Sequence, residues 1–240
     1  MRVLAFDTAT ARTAVALRDL DGGDNVCLRS VVDLVLADDP PAGARPGHAR
    51  LLLKLVHELL ERAGSGWDEI DRVAVGIGPG TFTGLRIGIA TAKALSVSAG
   101  LPLFGVSTLQ ALALPAHGRG HPTLAVVDAR RREVFVAGWK ACQDPLTDPP
   151  ALAPQVLAPE HLPAAAAGLG AGARVVGEGA LRFRDVFADG AAQLLADGSP
   201  LHRVSAREHC RIAALRAPAG VGGLVEPAYL RPADAEVARA

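Results

Sequence analysis

A duplicated α/β fold, two lobes each built on a mixed sheet with flanking helices, is what this sequence predicts. Three observations carry the prediction. An apolar run closed by an aspartate and followed by a second apolar run occurs twice: Leu4-Ala5-Phe6-Asp7 before Ala14-Val15-Ala16-Leu17, and Leu124-Ala125-Val126-Val127-Asp128 before Val134-Phe135-Val136-Ala137. Short apolar runs flanking a polar turn read as paired strands. Two copies point to a duplicated domain, because a solenoid needs at least three repeats. A weaker echo links Arg72-Val73-Ala74-Val75-Gly76-Ile77-Gly78 with Arg174-Val175-Val176-Gly177-Glu178-Gly179. Finally, 50% of the 240 residues are hydrophobic, enough to bury a substantial core.

In chain order, residues 3–6 and 13–17 are expected as strands and 26–35 as a third. Asp38-Asp39-Pro40-Pro41-Ala42-Gly43 is a cluster of structure breakers and reads as a loop. Between residues 48 and 63, Leu52, Leu55, Val56, Leu59, Leu60 and Ala63 recur at helical spacing, with Gly64 at the expected stop. Leu51 and Leu53 widen that apolar face; thorough burial and a second packing partner both fit the pattern. Residues 73–77 form a strand entering Gly78-Pro79-Gly80, and 83–98 a long helix stopping near Gly100-Leu101-Pro102. A short helix follows at 107–114. The boundary falls within 100–105, giving lobes at 1–104 and 105–240, the last segment of the second packing back on the first. In the Ala-, Pro- and Gly-rich second half, 159–167, 181–187 and 206–215 are helix candidates, 145–150 a surface turn, and the tail after 232 loosely held.

Composition narrows the function classes. The 25 basic and 25 acidic residues balance, so no net field draws the chain onto a polyanion. Aromatic residues are 4% of the chain, and Trp67, Trp139 and Tyr229 lie far apart in sequence, which does not provide the clustered platforms that hold single-stranded nucleic acid. Cys27, Cys142 and Cys210 are odd in number and widely spaced, unlike a disulfide framework or a metal knuckle. No segment stays apolar long enough to span a bilayer, so a cytoplasmic protein is expected.

Few residues offer chemistry. Asp7, Thr8 and Thr10 lie in the turn between two strands, where a carboxylate and hydroxyls can meet a magnesium-bound phosphate, and Asp128 occupies the matching turn of the second half. Asp and Thr are also ordinary turn formers, so these positions stand as candidate vestigial nucleotide-binding residues. Gly78-Pro79-Gly80-Thr81-Phe82-Thr83-Gly84 joins a strand to a helix N-terminus but lacks the Gly-Lys-Ser/Thr of a phosphate-binding loop. Gly84, Gly88 and Ala92 recur every four residues along one helix face; the spacing fits close approach of a partner helix and close packing on the chain's own sheet equally. His117 and His121 sit among Gly118, Gly120 and Pro122, unlike a helical zinc pair. The arginine run Arg130-Arg131-Arg132 fits a local contact with a phosphate or a solvated turn, and the solvated turn is preferred.

Ordered motifs across most of the chain resemble the TsaB (YeaZ) family: the opening Met1-Arg2-Val3-Leu4-Ala5-Phe6-Asp7-Thr8-Ala9-Thr10, the block from Val75 to Ala90 with Gly78-Pro79-Gly80-Thr81-Phe82-Thr83-Gly84 at its centre, Gly105-Val106-Ser107-Thr108-Leu109, Val127-Asp128-Ala129-Arg130, and Pro227-Ala228-Tyr229-Leu230-Arg231. The resemblance implies the two-lobed fold of actin, sugar kinases and Hsp70. It implies a non-catalytic subunit that forms a heterodimer with the transferase TsaD and a ternary complex with TsaE. That complex places threonylcarbamoyl on N6 of adenosine 37 in tRNAs reading ANN codons. It further implies a homodimer when alone, tRNA met only indirectly, and no cofactor beyond weak or vestigial Mg-ATP or ADP binding. Where TsaD carries its two metal-binding histidines this chain has Thr108 and Leu112, and leucine cannot ligate a metal, so no metal centre and no catalytic residue are expected. By the same resemblance the first two helices of the N-terminal lobe form the partner interface, with His48, Leu51, Leu52 and Leu55 from one and Gly84, Arg86, Gly88 and Ala92 from the other. The rival expectations are a nucleotide-binding kinase or ATPase of the same fold and, less favoured, a metallopeptidase.

Overall fold

The structure, a computed structural model, describes residues 1–20, 32–41, 44–118, 120–188, 190, 192–216 and 220–231. Expectations for Cys27, for most of the strand at 26–35, for Ala42 and Gly43 and for the tail after 232 lie outside those residues. The chain divides into two compact units. One comprises Met1–Ile77, Thr83–Val106 and Ser205–Pro227; the other comprises Gly78–Phe82, Ser107–Val204 and the described residues after Pro227.

In the first unit, β1 (Arg2–Asp7) pairs antiparallel with β2 (Thr13–Asp19), which pairs antiparallel with β3 (Asp33–Asp38). Both β1 and β2 are buried over most of their length, as their unbroken apolar runs require. Helix α1 (His48–Ala63) ends on Gly64 in the left-handed conformation. Strand β4 (Arg72–Gly78) runs parallel to β1, helix α2 (Phe82–Ala99) follows, and β5 (Leu103–Ser107) closes the sheet order β3-β2-β1-β4-β5. Leu52, Val56 and Leu59 of α1 and Ile89 and Ala92 of α2 share one core cluster with Leu4, Phe6, Val15 and Val75, so both helices cover the same sheet face. Full burial of each large side chain there contributes about 1.5–3 kcal/mol.

The second unit begins with α3 (Thr108–His117), whose N-terminus is capped by Ser107 accepting from the Gln110 amide. Strands β6 (Thr123–Arg130) and β7 (Glu133–Trp139) form an antiparallel hairpin, extended by β8 (Leu152–Leu157). Helix α4 (Leu162–Ala167), strand β9 (Arg174–Val176), helix α5 (Glu178–Arg182) and strand β10 (Gln193–Leu194) follow. The sheet order is β10-β9-β6-β7-β8, with β6 and β9 parallel. Position for position this repeats the first sheet, β6-β7 standing for β1-β2 and β9 for β4, so the two sequence echoes mark equivalent strands.

Helix α6 (Ala206–Ala214) returns to the first unit and packs on β1, β2 and β3. Its Cys210 is fully buried, with Sγ 3.4 Å from the Val3 carbonyl; burial pushes that thiol far above its ordinary pKa, so it serves packing and not redox chemistry. Three expected helices differ in detail: 159–167 is a 3-10 turn followed by α4, 181–187 is split between α5 and a 3-10 turn, and α3 runs on through Pro115 to His117. Among the described residues no helix is long and apolar enough to cross a membrane.

Candidate functional site

Each unit is considered by itself, beginning with the β1–β2 turn. Asp7 is 1% exposed, Thr8 0% and Thr10 7%. The Asp7 Oδ2 lies 2.9 Å from His209 Nε2 on α6, a hydrogen-bonded pair both of whose side chains are essentially closed to solvent. Asp7 Oδ1 accepts from the Ala9 amide at 2.7 Å, and the Thr8 hydroxyl donates to the Gly84 carbonyl at 2.8 Å. The Asp7 carboxylate and the Thr8 hydroxyl are thus engaged within their own unit. The turn ties α2 and α6 to β1. Gly76 and Gly88 make that possible: a Cβ on Gly76 would fall 1.9 Å from Asp7 Oδ2, and one on Gly88 2.4 Å from Thr8 Oγ1.

The residues expected at the partner interface differ in their exposure. His48 is buried with Nδ1 2.8 Å from the Thr13 hydroxyl, and burial holds its pKa below the ordinary value against the pull of Asp7. Leu52 is buried in the core cluster, and Gly84, Gly88 and Ala92 face the chain's own sheet side. Every fourth residue being small served packing on β1 and β4, the inward of the two readings that the spacing allowed. Leu51 and Leu55 are half-buried and Arg86 is exposed. Around them the outer side of α1 and α2 adds Leu53 at 56% exposure, Val97 at 66%, half-buried Ile87 and Leu95, and exposed Ala90 and Ala94. Helix α2 carries no acidic residue. The outer side of α2 is therefore largely apolar with positive charge from Arg86 and Lys93, whereas α1 presents Leu53 among exposed Arg50, Lys54, His57, Glu61 and Arg62.

In the second unit Asp128 belongs to a cationic hairpin. Its Oδ1 accepts from the Arg130 amide at 2.9 Å, while Oδ2 lies 2.5 Å from Arg182 Nη1 and 3.5 Å from Arg130 Nη1. Arg130, Arg131 and Arg132 take φ of 63°, 50° and 58°, left-handed backbone that costs a non-glycine residue about 1–2 kcal/mol. The Asp128 clamp holds the tip in that state. Beneath it Glu178 starts α5, and its Oε1 lies 3.4 Å from the Asp128 amide. Gly177 before it has φ 113° and donates its amide to His202 Nδ1 at 3.1 Å. The sequence singled out Asp128 but not Glu178, Arg182, His202 or His209; each is joined to its partner only through tertiary structure.

Desolvation, with a smaller contribution from the nearby Asp128 charge, pushes Glu178 up to about 7 from 4.5. The folded protein therefore holds a proton that the unfolded chain releases as pH rises between those values. Stability supplied by this group is complete below about 4.5 and lost as pH rises through about 7. Glu178 retains some exposed surface, so water screens part of the effect and ~3 kcal/mol is a ceiling. Denaturant unfolding at about pH 5 and about pH 8 should show Glu178→Gln nearly matching the parent at the lower pH and exceeding it by up to ~3 kcal/mol at the higher.

Two sheets of one strand order, each with helices on its face, define the duplicated actin-like fold. A solved structure of the ethanolamine utilization protein EutJ from Carboxydothermus hydrogenoformans shares it, at TM-score 0.50 and 14% identity over 88% of this chain and 90% of that one. Closer likeness comes from a Pseudomonas aeruginosa protein described as similar to peptidase YeaZ: TM-score 0.70 and 27% identity, covering 96% of this chain and 99% of that one. A family model described as TsaD, tRNA N6-adenosine threonylcarbamoyltransferase, matches residues 40–170, more than half of the chain. The Escherichia coli tRNA threonylcarbamoyladenosine biosynthesis protein TsaB is 38% identical over 146 residues, 58% of this chain and 55% of that protein. The chain thus spans little more than half the length of that curated relative. It belongs to the TsaD-related family matched by the model and, within it, to the TsaB/YeaZ group.

Proposed function

We propose that the chain is a non-catalytic docking subunit in the synthesis of threonylcarbamoyladenosine on tRNA. It binds a TsaD-type transferase through the outer side of α1 and α2 and works with it and a TsaE-type ATPase to modify adenosine 37 of tRNAs reading ANN codons. In the absence of the enzyme, the same side pairs two copies of the chain. The observation that carries this reading is the exposed apolar side of α2, with Val97 66% exposed and no acidic side chain on the helix, together with Leu53 of α1 at 56%. Exposed apolar side chains gathered on one helix face and rimmed by charge are a mark of a protein interface.

A non-catalytic role is supported by what fills the positions of the enzyme's ligands. Thr108 is fully buried at the start of α3, and Leu112 is a core residue packed with Val127 and Val176. Neither is built to hold a metal. The engagement of Asp7 by His209 argues against the rival nucleotide-processing role.

The double substitution Leu53→Glu/Ala90→Glu tests the reading. Both positions are exposed, so the melting temperature should change little. Two desolvated carboxylates at the contact should weaken binding to the cognate transferase at least tenfold, about 1.4 kcal/mol or more, measured by titration calorimetry. Unchanged affinity would remove α1 and α2 as the docking surface.

A further inference from the structure

Past α6, residues 220–225 lie as a strap over the C-terminal end of α2 and the start of β5, all within the first unit. The strap is pinned along its length. The Gly220 carbonyl accepts from the Leu103 amide at 3.3 Å, Val221 bridges antiparallel to Pro102, and the Gly222 amide donates to the Ser96 hydroxyl at 3.0 Å. At the far end Val225 is 5% exposed and joins the core cluster that holds Val75 and Ala92. A Cβ on Gly222 would stand 3.3 Å from Val97 Cγ2, so the strap lies directly against the exposed flank of α2.

Pinned as it is, the strap leaves large apolar side chains in water. Leu224, between buried Gly223 and Val225, is 88% exposed and Val221 is 55% exposed. Two residues separate Leu224 from Gly222, so its Cα can stand no more than about 7 Å from that glycine, and Val221, Leu224 and Val97 gather at one end of α2. Ser96 places them. It is 0% exposed, and its hydroxyl donates to the Leu101 carbonyl while accepting from the Gly222 amide, which joins the end of the helix to the strap.

We propose, resting on the docking role given above, that the strap is a further element of the docking side: Val221 and Leu224 continue the contact from Val97 onto the same transferase, and Ser96 is the positioning residue that holds them there. Val97 belongs to the exposed side of α2 and is also the residue the strap lies against, so the two surfaces are continuous. A two-fold pair of copies sets one patch against itself and brings Lys93 from two helices that hold no acidic residue onto one contact. A different protein can bring carboxylates to that contact. The occupant is therefore the transferase and not a second copy.

The full chain carrying Val221→Glu/Leu224→Glu, Ser96→Ala or all three changes is compared with the parent and with Leu53→Glu/Ala90→Glu, by titration calorimetry against the cognate transferase and by sedimentation of the chain alone. Val221→Glu/Leu224→Glu should bind the transferase at least tenfold more weakly, about 1.4 kcal/mol, with little change in melting temperature because both side chains are exposed. Ser96→Ala leaves every exposed side chain in place and should also weaken binding. In the Val221→Glu/Leu224→Glu background it should cost nothing more, since the strap contact is already lost, whereas a merely structural loss would add. Unchanged transferase affinity in Val221→Glu/Leu224→Glu beside a tenfold loss in Leu53→Glu/Ala90→Glu would overturn the proposal and leave the docking role standing. No binding by the parent, or no loss in any variant, would overturn both. Weaker self-association with transferase affinity unchanged would assign the strap to a second copy and overturn the proposal, and an additive loss from Ser96→Ala would remove that residue's positioning role.

Discussion

Gly177→Ala is expected to lower stability by about 4 kcal/mol or more and the melting temperature by about 10 °C or more, among the largest effects of any single substitution in this chain. A Cβ at residue 177 would fall 1.9 Å from the Val126 carbonyl oxygen and 2.9 Å from Leu112 Cδ2. Neither neighbour can yield: Val126 is in the central strand β6, and Leu112 is fully packed in the core. The backbone at φ 113° is also strained for any L side chain. Gly172→Ala provides the control, since φ is 67° but nothing lies within 4 Å of the new methyl; it should cost only about 1 kcal/mol. Thermal unfolding followed by circular dichroism separates the two. Equal small losses would mean that β9 and α5 do not meet β6 as described.

His209→Ala should be nearly as damaging, by about 3–5 kcal/mol, because it removes the imidazole from a carboxylate that has almost no access to water. Asp7→Asn alone should also destabilise, while Asp7→Asn/His209→Gln should lose less than the sum of the single changes, since the pair is removed together. Denaturant unfolding of the four proteins supplies the cycle. Additive losses would mean that the 2.9 Å pair contributes no coupling between α6 and β1.

Much of this fold was legible locally. The two Asp-terminated strand pairs were visible because unbroken apolar runs and polar turns are local signals, and the sheet orders confirm that they are equivalent. Strand β8 was missed because Pro154 and the exposed Ala153 interrupt its pattern, which an edge strand tolerates. Strand β5, with Gly105 inside a stretch that reads as a linker, was missed for a similar reason.

The site was less legible than the fold. Period-four spacing of Gly84, Gly88 and Ala92 identifies one helix face but not what that face meets; the Thr8 hydroxyl decides it, from 76 residues away in sequence. The joining of Asp7 to His209 spans 202 residues, and no periodicity reports a pairing at that distance. The aromatic scarcity was real in composition, yet the fold brings Phe82 and Tyr229 into contact. Exposed Leu53, by contrast, was already conspicuous as apolar surplus on α1.

The docking role is tested most directly by reconstitution. Cognate TsaD-type and TsaE-type proteins, ATP, threonylcarbamoyl-adenylate and unmodified tRNA are combined with and without this chain, and threonylcarbamoyladenosine is quantified by mass spectrometry of the digested tRNA. Product should form only when both the chain and the transferase are present, and should fall sharply with Leu53→Glu/Ala90→Glu. Product formed at the same rate without the chain, or by the chain without the transferase, would contradict a non-catalytic docking subunit.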